Sequence, residues 1–178
     1  VTGLSLTACG ADSIGVSPPP DRLDYPISMA VHPAGSHLYV INAGFARQYL
    51  TGTVSVFEVE SGQMLESATT EIELFGGELE LFESDGNVFG VTTSRENGAV
   101  ILLSIDADRG DSADHVQLVN QATSFGPSRL AEDPYSVSVD PDGVMVGHLG
   151  RGAVSRWSFG GNDAVEELTY RCALSLSG

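Results

Sequence analysis

One phrase recurs along this chain and limits what it can fold into. In its first copy, Pro26-Ile27-Ser28-Met29-Ala30-Val31 alternates apolar residues, His32-Pro33-Ala34-Gly35 turns the chain, and Leu38-Tyr39-Val40-Ile41-Asn42 opens a second β-rich run. Gly52-Thr53-Val54-Ser55-Val56-Phe57 then starts a third. A period of two punctuated by Pro and Gly predicts short strands joined by turns. Pro134 to Gly143 repeats Pro26 to Gly35 without a gap, with prolines and glycine in register. A degenerate copy runs through Leu79, Leu81 and Ser84-Asp85-Gly86-Asn87-Val88. Each copy leads to a Gly-x-Val, at Gly52, Gly98 and Gly152. The spacings are 46 and 54 residues (98 − 52 and 152 − 98), near the period of propeller blades, roughly 40–50 residues.

A small antiparallel sheet with apolar residues on both faces cannot bury both alone, so such units stack on one another. Val31, Leu38, Val40, Val54 and Val56 give the first unit that character. The expected fold is all-β: a β-propeller of about three blades, an open arc of an incomplete seven-bladed ring. Blade 1 is expected over about residues 25–70, blade 2 over 71–125 and blade 3 over 130–178, so that 25–178 form the partial propeller.

Ala30-Val31-His32-Pro33-Ala34-Gly35, Leu38-Tyr39-Val40-x-Asn42 and Thr53-Val54-Ser55-Val56 resemble the YVTN-type repeat of bacterial seven-bladed propellers, the group of lactonase-like and YncE-like proteins. The resemblance covers roughly residues 25–160. In the third copy Gly147-His148-Leu149-Gly150 replaces the Tyr-Val-x-Asn strand. The resemblance implies an architecture more than an activity, and no catalytic motif of the family is matched.

Composition removes several classes. The 178 residues carry 24 acids against 8 basic residues, a net charge of −16, and all eight basic residues are Arg. Without lysine there is no P-loop and no Schiff-base or Ser-Lys chemistry. A pI near 4.3 repels phosphate backbones, so no nucleic-acid partner is expected. No run reaches the roughly 18–20 apolar residues of a membrane span.

The start of the chain carries its own signal. Leu6-Thr7-Ala8-Cys9 is similar to a bacterial lipobox, in which the Cys thiol takes the lipid. Residues 1–9 are therefore read as a signal remnant, Cys9 as a lipid attachment site, and 10–24, with Ser17-Pro18-Pro19-Pro20, as a tether. The expected location is the bacterial cell envelope, anchored by lipid, at the outer membrane; any membrane contact is through Cys9 alone. The competing reading of Cys9 is a buried small residue or half of a disulfide, with Cys172 as one partner.

The insertion Ala43 to Thr51 is the longest connection between second and third strands. Its Phe45, Arg47 and Tyr49 are the candidate ligand contacts; the alternative is that they cover a blade edge. Glu78 and Glu80 alternate with Leu79 and Leu81, which points both acids to one face, where they would line a channel or meet solvent. Asp106-Ala107-Asp108-Arg109-Gly110-Asp111 lacks the spacing of a calcium loop and reads as a polar hairpin connection. His32, His37, His115 and His148 lack ligand spacing, and His148 reads as a structural histidine near Arg151. No metal, cofactor or catalytic residue is assigned, since no Gly-x-Ser-x-Gly elbow is present. Residues 120–133 read as a polar crossing between blades, and it and the 43–51 insertion are not required to share a rim.

Two functions follow. The first is a non-enzymatic, lipid-anchored envelope propeller that binds a small molecule or an envelope protein as a binding or scaffold module. The second, implied by resemblance alone, is a lactonase-like hydrolase of the seven-bladed propeller group, with its active site at the channel mouth drawn from several blades and partly outside these three. Convergent acids, Arg or His with perturbed pKa values at one channel mouth would mark the second, and an exposed apolar or aromatic patch on one rim the first.

Overall fold

The computed structural model describes residues 15–123, 133–150, 152–160 and 167–175. Among these residues, twelve strands form three four-stranded antiparallel sheets, each a meander in chain order. Blade 1 holds β1 (Pro26–Val31), β2 (His37–Asn42), β3 (Gly52–Glu58) and β4 (Met64–Ile72). Blade 2 holds β5 (Glu80–Ser84), β6 (Asn87–Ser94), β7 (Ala99–Ile105) and β8 (Val116–Thr123). Blade 3 holds β9 (Pro134–Asp140), β10 (Gly143–His148), β11 (Ala153–Gly160) and β12 (Glu167–Ser175). The architecture is the expected all-β open arc of propeller blades.

Period-two alternation gives each sheet two faces, and stacking decides which of them is buried. Tyr39, Ile41, Val54 and Val56 of blade 1 meet Leu79, Ile101, Leu103, Ile105 and Val116 of blade 2 in one core. Val91, Val100 and Leu102, on the other face of blade 2, meet Val144, Val146, Trp157 and Leu168 of blade 3 in a second. Phe82 stacks on Phe159 at 4.9 Å across that joint. Inner strands are tied as well: the Leu79 N–H donates to Ser28 Oγ at 2.9 Å, and the Val139 N–H to Glu80 Oε2 at 3.0 Å. Glu80 thus holds blade 3 to blade 2, while its neighbour Glu78 is exposed.

Turns set the register. Asp85-Gly86, with φ of 49° and 77°, makes a two-residue hairpin of the primed type that matches strand twist. The Pro141-Asp142 hairpin is equally tight, because Gly143 pairs with Asp140. In blade 1 the His32 N–H bonds the His37 carbonyl at 2.8 Å, so four residues make the turn. The gapless match of Pro26–Gly35 to Pro134–Gly143 therefore ends at the turn. Two residues fewer bring His148, not Gly150, to the place of Asn42, and both residues bond a serine one strand over: Asn42 Nδ2 donates to Ser55 Oγ at 2.9 Å, and His148 Nε2 lies 2.7 Å from Ser155 Oγ. His148 is buried there among blade contacts. Gly143 suits this turn because a Cβ would lie 2.0 Å from the Trp157 carbonyl oxygen.

Residues 15–24, expected as a spacer, lie along blade 1. Val16 bridges Tyr49 in parallel, Thr69 Oγ1 donates to the Pro20 carbonyl at 3.4 Å, and the Asp24 N–H donates to Asn42 Oδ1 at 3.2 Å. Cys9 lies outside the described residues. Cys172 is an exposed free thiol on β12. Among the described residues no helix is long and apolar enough to cross a membrane.

The outer faces of the arc stay apolar in part. Met29 and Val31 on blade 1 are 69% and 55% exposed, and Met145 and Leu174 on blade 3 are 43% and 68% exposed. Sheet faces of this kind adhere to one another in water. The 178-residue chain is expected to self-associate as concentration rises in multi-angle light scattering; a monodisperse monomer throughout would overturn this.

Candidate functional site on one rim

In a four-stranded meander, the connection between second and third strands leaves from the same end as the crossing to the next blade. The 43–51 insertion, the 73–79 crossing, the 95–98 turn and Asp133 therefore share one rim. There they enclose an open cleft of about 460 Å³ lined by Phe45, Arg47, Phe75, Arg95, Glu96 and Asp133. The crossing into blade 3 is shorter than expected, because β8 continues to Thr123 and takes up residues 120–123.

Three of the rim positions are structurally equivalent. Tyr25, Phe75 and Asp133 each have a left-handed backbone, with φ of 54°, 56° and 63°. Each turns its carbonyl to the residue that follows the second strand of its blade: Ala43 N–H to Tyr25 O at 3.0 Å, Arg95 N–H to Phe75 O at 3.0 Å, and Leu149 N–H to Asp133 O at 3.0 Å. A positive φ at a non-glycine residue costs of the order of 1–3 kcal/mol and gathers where function over-determines the chain. Arg47, at φ 50°, is a fourth instance on this rim.

The side chains form two ion pairs and an aromatic stack. Phe45 stacks on Phe75 at 5.5 Å and 26°, and Tyr25 meets the Phe45 edge at 6.3 Å. The Arg47 guanidinium lies 4.7 Å from the Phe75 ring centre and pairs with Glu96 at 3.3 Å. Arg95 donates through Nε to Asp133. A chain of net charge −16 with eight arginines thus brings two of them to one cleft, each beside a carboxylate. Aromatic walls suit the apolar face of a ring, guanidinium donors suit a carbonyl or oxyanion, and carboxylates suit proton transfer.

Of the three expected ligand contacts, the structure places Phe45 and Arg47 in the cleft and Tyr49 elsewhere. Tyr49 is buried, its hydroxyl accepts from Arg22, and the Arg22 guanidinium lies 6.0 Å from its ring. It fastens residues 15–24 to the insertion. Phe75, Arg95, Glu96 and Asp133 carried no sequence signal of their own. Only the three-fold equivalence of Tyr25, Phe75 and Asp133 would have marked two of them, and their side chains share nothing.

The remaining acids are spread out. Glu71 accepts from Thr51 Oγ1 at 2.9 Å, and Glu73 Oε1 from Asn97 Nδ2 at 2.8 Å, in a neighbouring cleft between the outer strands of blades 1 and 2. Asp106 pairs with Arg109 at 2.8 Å, while Asp111 accepts from the Ser67 and Ala68 N–H groups at 2.6 and 3.2 Å. Among the described residues no group of three or more His, Cys, Asp or Glu is placed to hold a metal ion.

Comparison with known proteins names the class. The sequence model of the family described as "Lactonase, 7-bladed beta-propeller" matches residues 14–175, and the chain belongs to that family. No curated protein matches it. Similar solved structures include a periplasmic gluconolactonase of Pseudomonas aeruginosa, with 16% identity over 89% of this chain and 41% of that one, at a TM-score of 0.61. A putative 6-phosphogluconolactonase of Bacteroides fragilis shares 16% identity over 84% of this chain and 39% of that one, at 0.59. A functionally unknown protein of Desulfotomaculum acetoxidans shares 12% identity over 85% and 43%, at 0.62. The chain thus spans about two-fifths of the length of these structures, and at such identities they establish the fold alone.

Replacing Tyr49 by Phe removes the acceptor that holds Arg22. Limited trypsin digestion of Tyr49→Phe is expected to cut after Arg22 several-fold faster than in the unaltered protein; equal rates would mean that the hydroxyl does not fasten the segment.

Proposed function

We propose that this chain carries the substrate-facing rim of a lactone-hydrolysing propeller. The observation that carries the reading is the convergence of Arg47, Arg95, Glu96 and Asp133 around the Phe45–Phe75 stack. Membership of the lactonase family and likeness to a gluconolactonase support it further. The scaffold reading draws no separate support from this rim.

In the proposed reaction a sugar lactone lies with its ring face on the aromatic stack. Glu96 takes a proton from a water molecule, whose oxygen bonds to the lactone carbonyl carbon. Asp133 holds Arg95 through Nε, which leaves the terminal guanidinium nitrogens to donate to the oxyanion that forms. The ring C–O bond then breaks, and Glu96 returns its proton to the departing oxygen to leave the open-chain hydroxy acid. Arg47, paired with Glu96, keeps that carboxylate in place.

The test is hydrolysis of δ-gluconolactone, with and without a phosphate, followed by pH-stat titration. Arg95→Gln and Glu96→Gln are each expected to lower kcat/KM about 10²-fold with unchanged circular dichroism. Hydrolysis at the unaltered rate by both variants would remove the cleft from the reaction, and no hydrolysis of any lactone would remove the activity.

An envelope location and a lipid at Cys9 belong to the proposal too, carried by Leu6-Thr7-Ala8-Cys9 alone. Mass spectrometry of the protein made in bacteria with a leader is expected to find Cys9 diacylated. An unmodified Cys9 thiol would sink that part.

A further inference from the structure

At the opposite rim three imidazoles meet across the joint between blades 1 and 2. His115, which precedes β8, is fully buried, as is Tyr39 of β2. His115 Nδ1 lies 2.7 Å from the Gly110 carbonyl oxygen, which can only accept, so Nδ1 bears the proton. Nε2 is then the acceptor for the Tyr39 hydroxyl at 3.0 Å. The His37 ring stands edge-on to His115 at 4.8 Å, and His32 follows at 6.4 Å from His37 and 6.3 Å from Tyr39. With Nδ1 committed to Gly110, Nε2 and the Tyr39 hydroxyl close the column between the two blades.

We propose that this column is an acid-sensitive latch, in which protonation of His32 and His37 sets positive charge beside the buried His115–Tyr39 pair and loosens this end of the joint between blades 1 and 2. The same two blades carry the two sides of the cleft, with Phe45 and Arg47 on one and Arg95 and Glu96 on the other. The latch stands independently of the lactonase reading.

The surrounding charges are few. Glu83 of β5 and Asp108 favour the charged form of His32, Glu58 of β3 favours that of His37, and Asp106 feels His115 while committed to Arg109. Against these acids, partial burial and then the neighbouring imidazoles hold both His32 and His37 below the usual value of 6.5. An imidazole depressed in the folded chain leaves the unfolded chain with more bound protons below about 6.5, so stability falls as pH drops through that value. Thr70 Oγ1, which donates to the Val116 carbonyl at 2.7 Å, and Asp111, which accepts from Ser67 and Ala68, do not depend on the imidazoles. Loosening is therefore confined to one part of the joint.

Amide hydrogen exchange between pH 8 and 5, corrected for intrinsic rates, tests the latch. Protection of β2 and the start of β8 is expected to fall about ten-fold below pH 6.5, while β10 and β11 hold theirs. His115→Asn, which keeps a donor for Gly110 but takes the imidazole between His37 and Tyr39 out of the column, should weaken the response. Should that variant fail to fold, the partly exposed His37→Gln serves, and its transition should be shallower. A uniform or absent change in the unaltered protein, or a wild-type response in these variants, would overturn the proposal.

Discussion

Blade 2 is the element on which the rest depends, because among the described residues it packs against another sheet on each face. Consecutive residues of β7 show it most directly: Ile101 and Leu103 pack towards blade 1, Val100 and Leu102 towards blade 3, and all four are fully buried. A strand buried on both sides reads as a continuous apolar run, and Ala99-Val100-Ile101-Leu102-Leu103 is one. Burying each such side chain contributes roughly 1.5–3 kcal/mol, so removal of either neighbour would expose half of that core. The outer blades are less complete. At the place of Val56 and Leu102, blade 3 carries Arg156, which reaches across to Asp140 and holds that carboxyl at about 2.

The rim cleft follows from the same stacking. Once three sheets are packed in order, each inner strand is entered at one rim through a left-handed residue. Tyr25, Phe75 and Asp133 fill that position with different side chains. The backbone demand is repeated while the chemistry is not, which is how a repeat fold supplies unlike groups at regular intervals around a site. Arg95 and Glu96 belong to the same scheme, since the turn after β6 brings them beside the crossings on either side. The opposite rim shows the reverse economy, with three like groups, His32, His37 and His115, gathered around Tyr39.

How far the residues announce this varies along the chain. The first three strands of each blade and the blade count were legible because alternation, Pro-Asp-Gly turns and Gly-x-Val starts are local signals; β4 and β8 carried none of these and were not. The place of His148 was not, because a hairpin shorter by two residues leaves no mark in a gapless match until the ladder is built. Phe45 and Arg47 were legible as members of an unusual insertion, and the same reasoning put Tyr49 with them. Tyr49 went elsewhere because its hydroxyl found Arg22, a partner 27 residues away. The histidines had no motif spacing, and Tyr39 and His115 meet only because β2 and the approach to β8 face each other across two sheets.

By itself the sequence determined an all-β chain of stacked blades and its strongly acidic character, since periodicity and composition act residue by residue. Tertiary structure decided which face of each strand is buried, which loops share a rim, and which arginine meets which carboxylate. These depend on packing between blades, through contacts such as Leu79 with Ser28 and Val139 with Glu80, 51 and 59 residues apart, and contacts at that range are set by the stack as a whole.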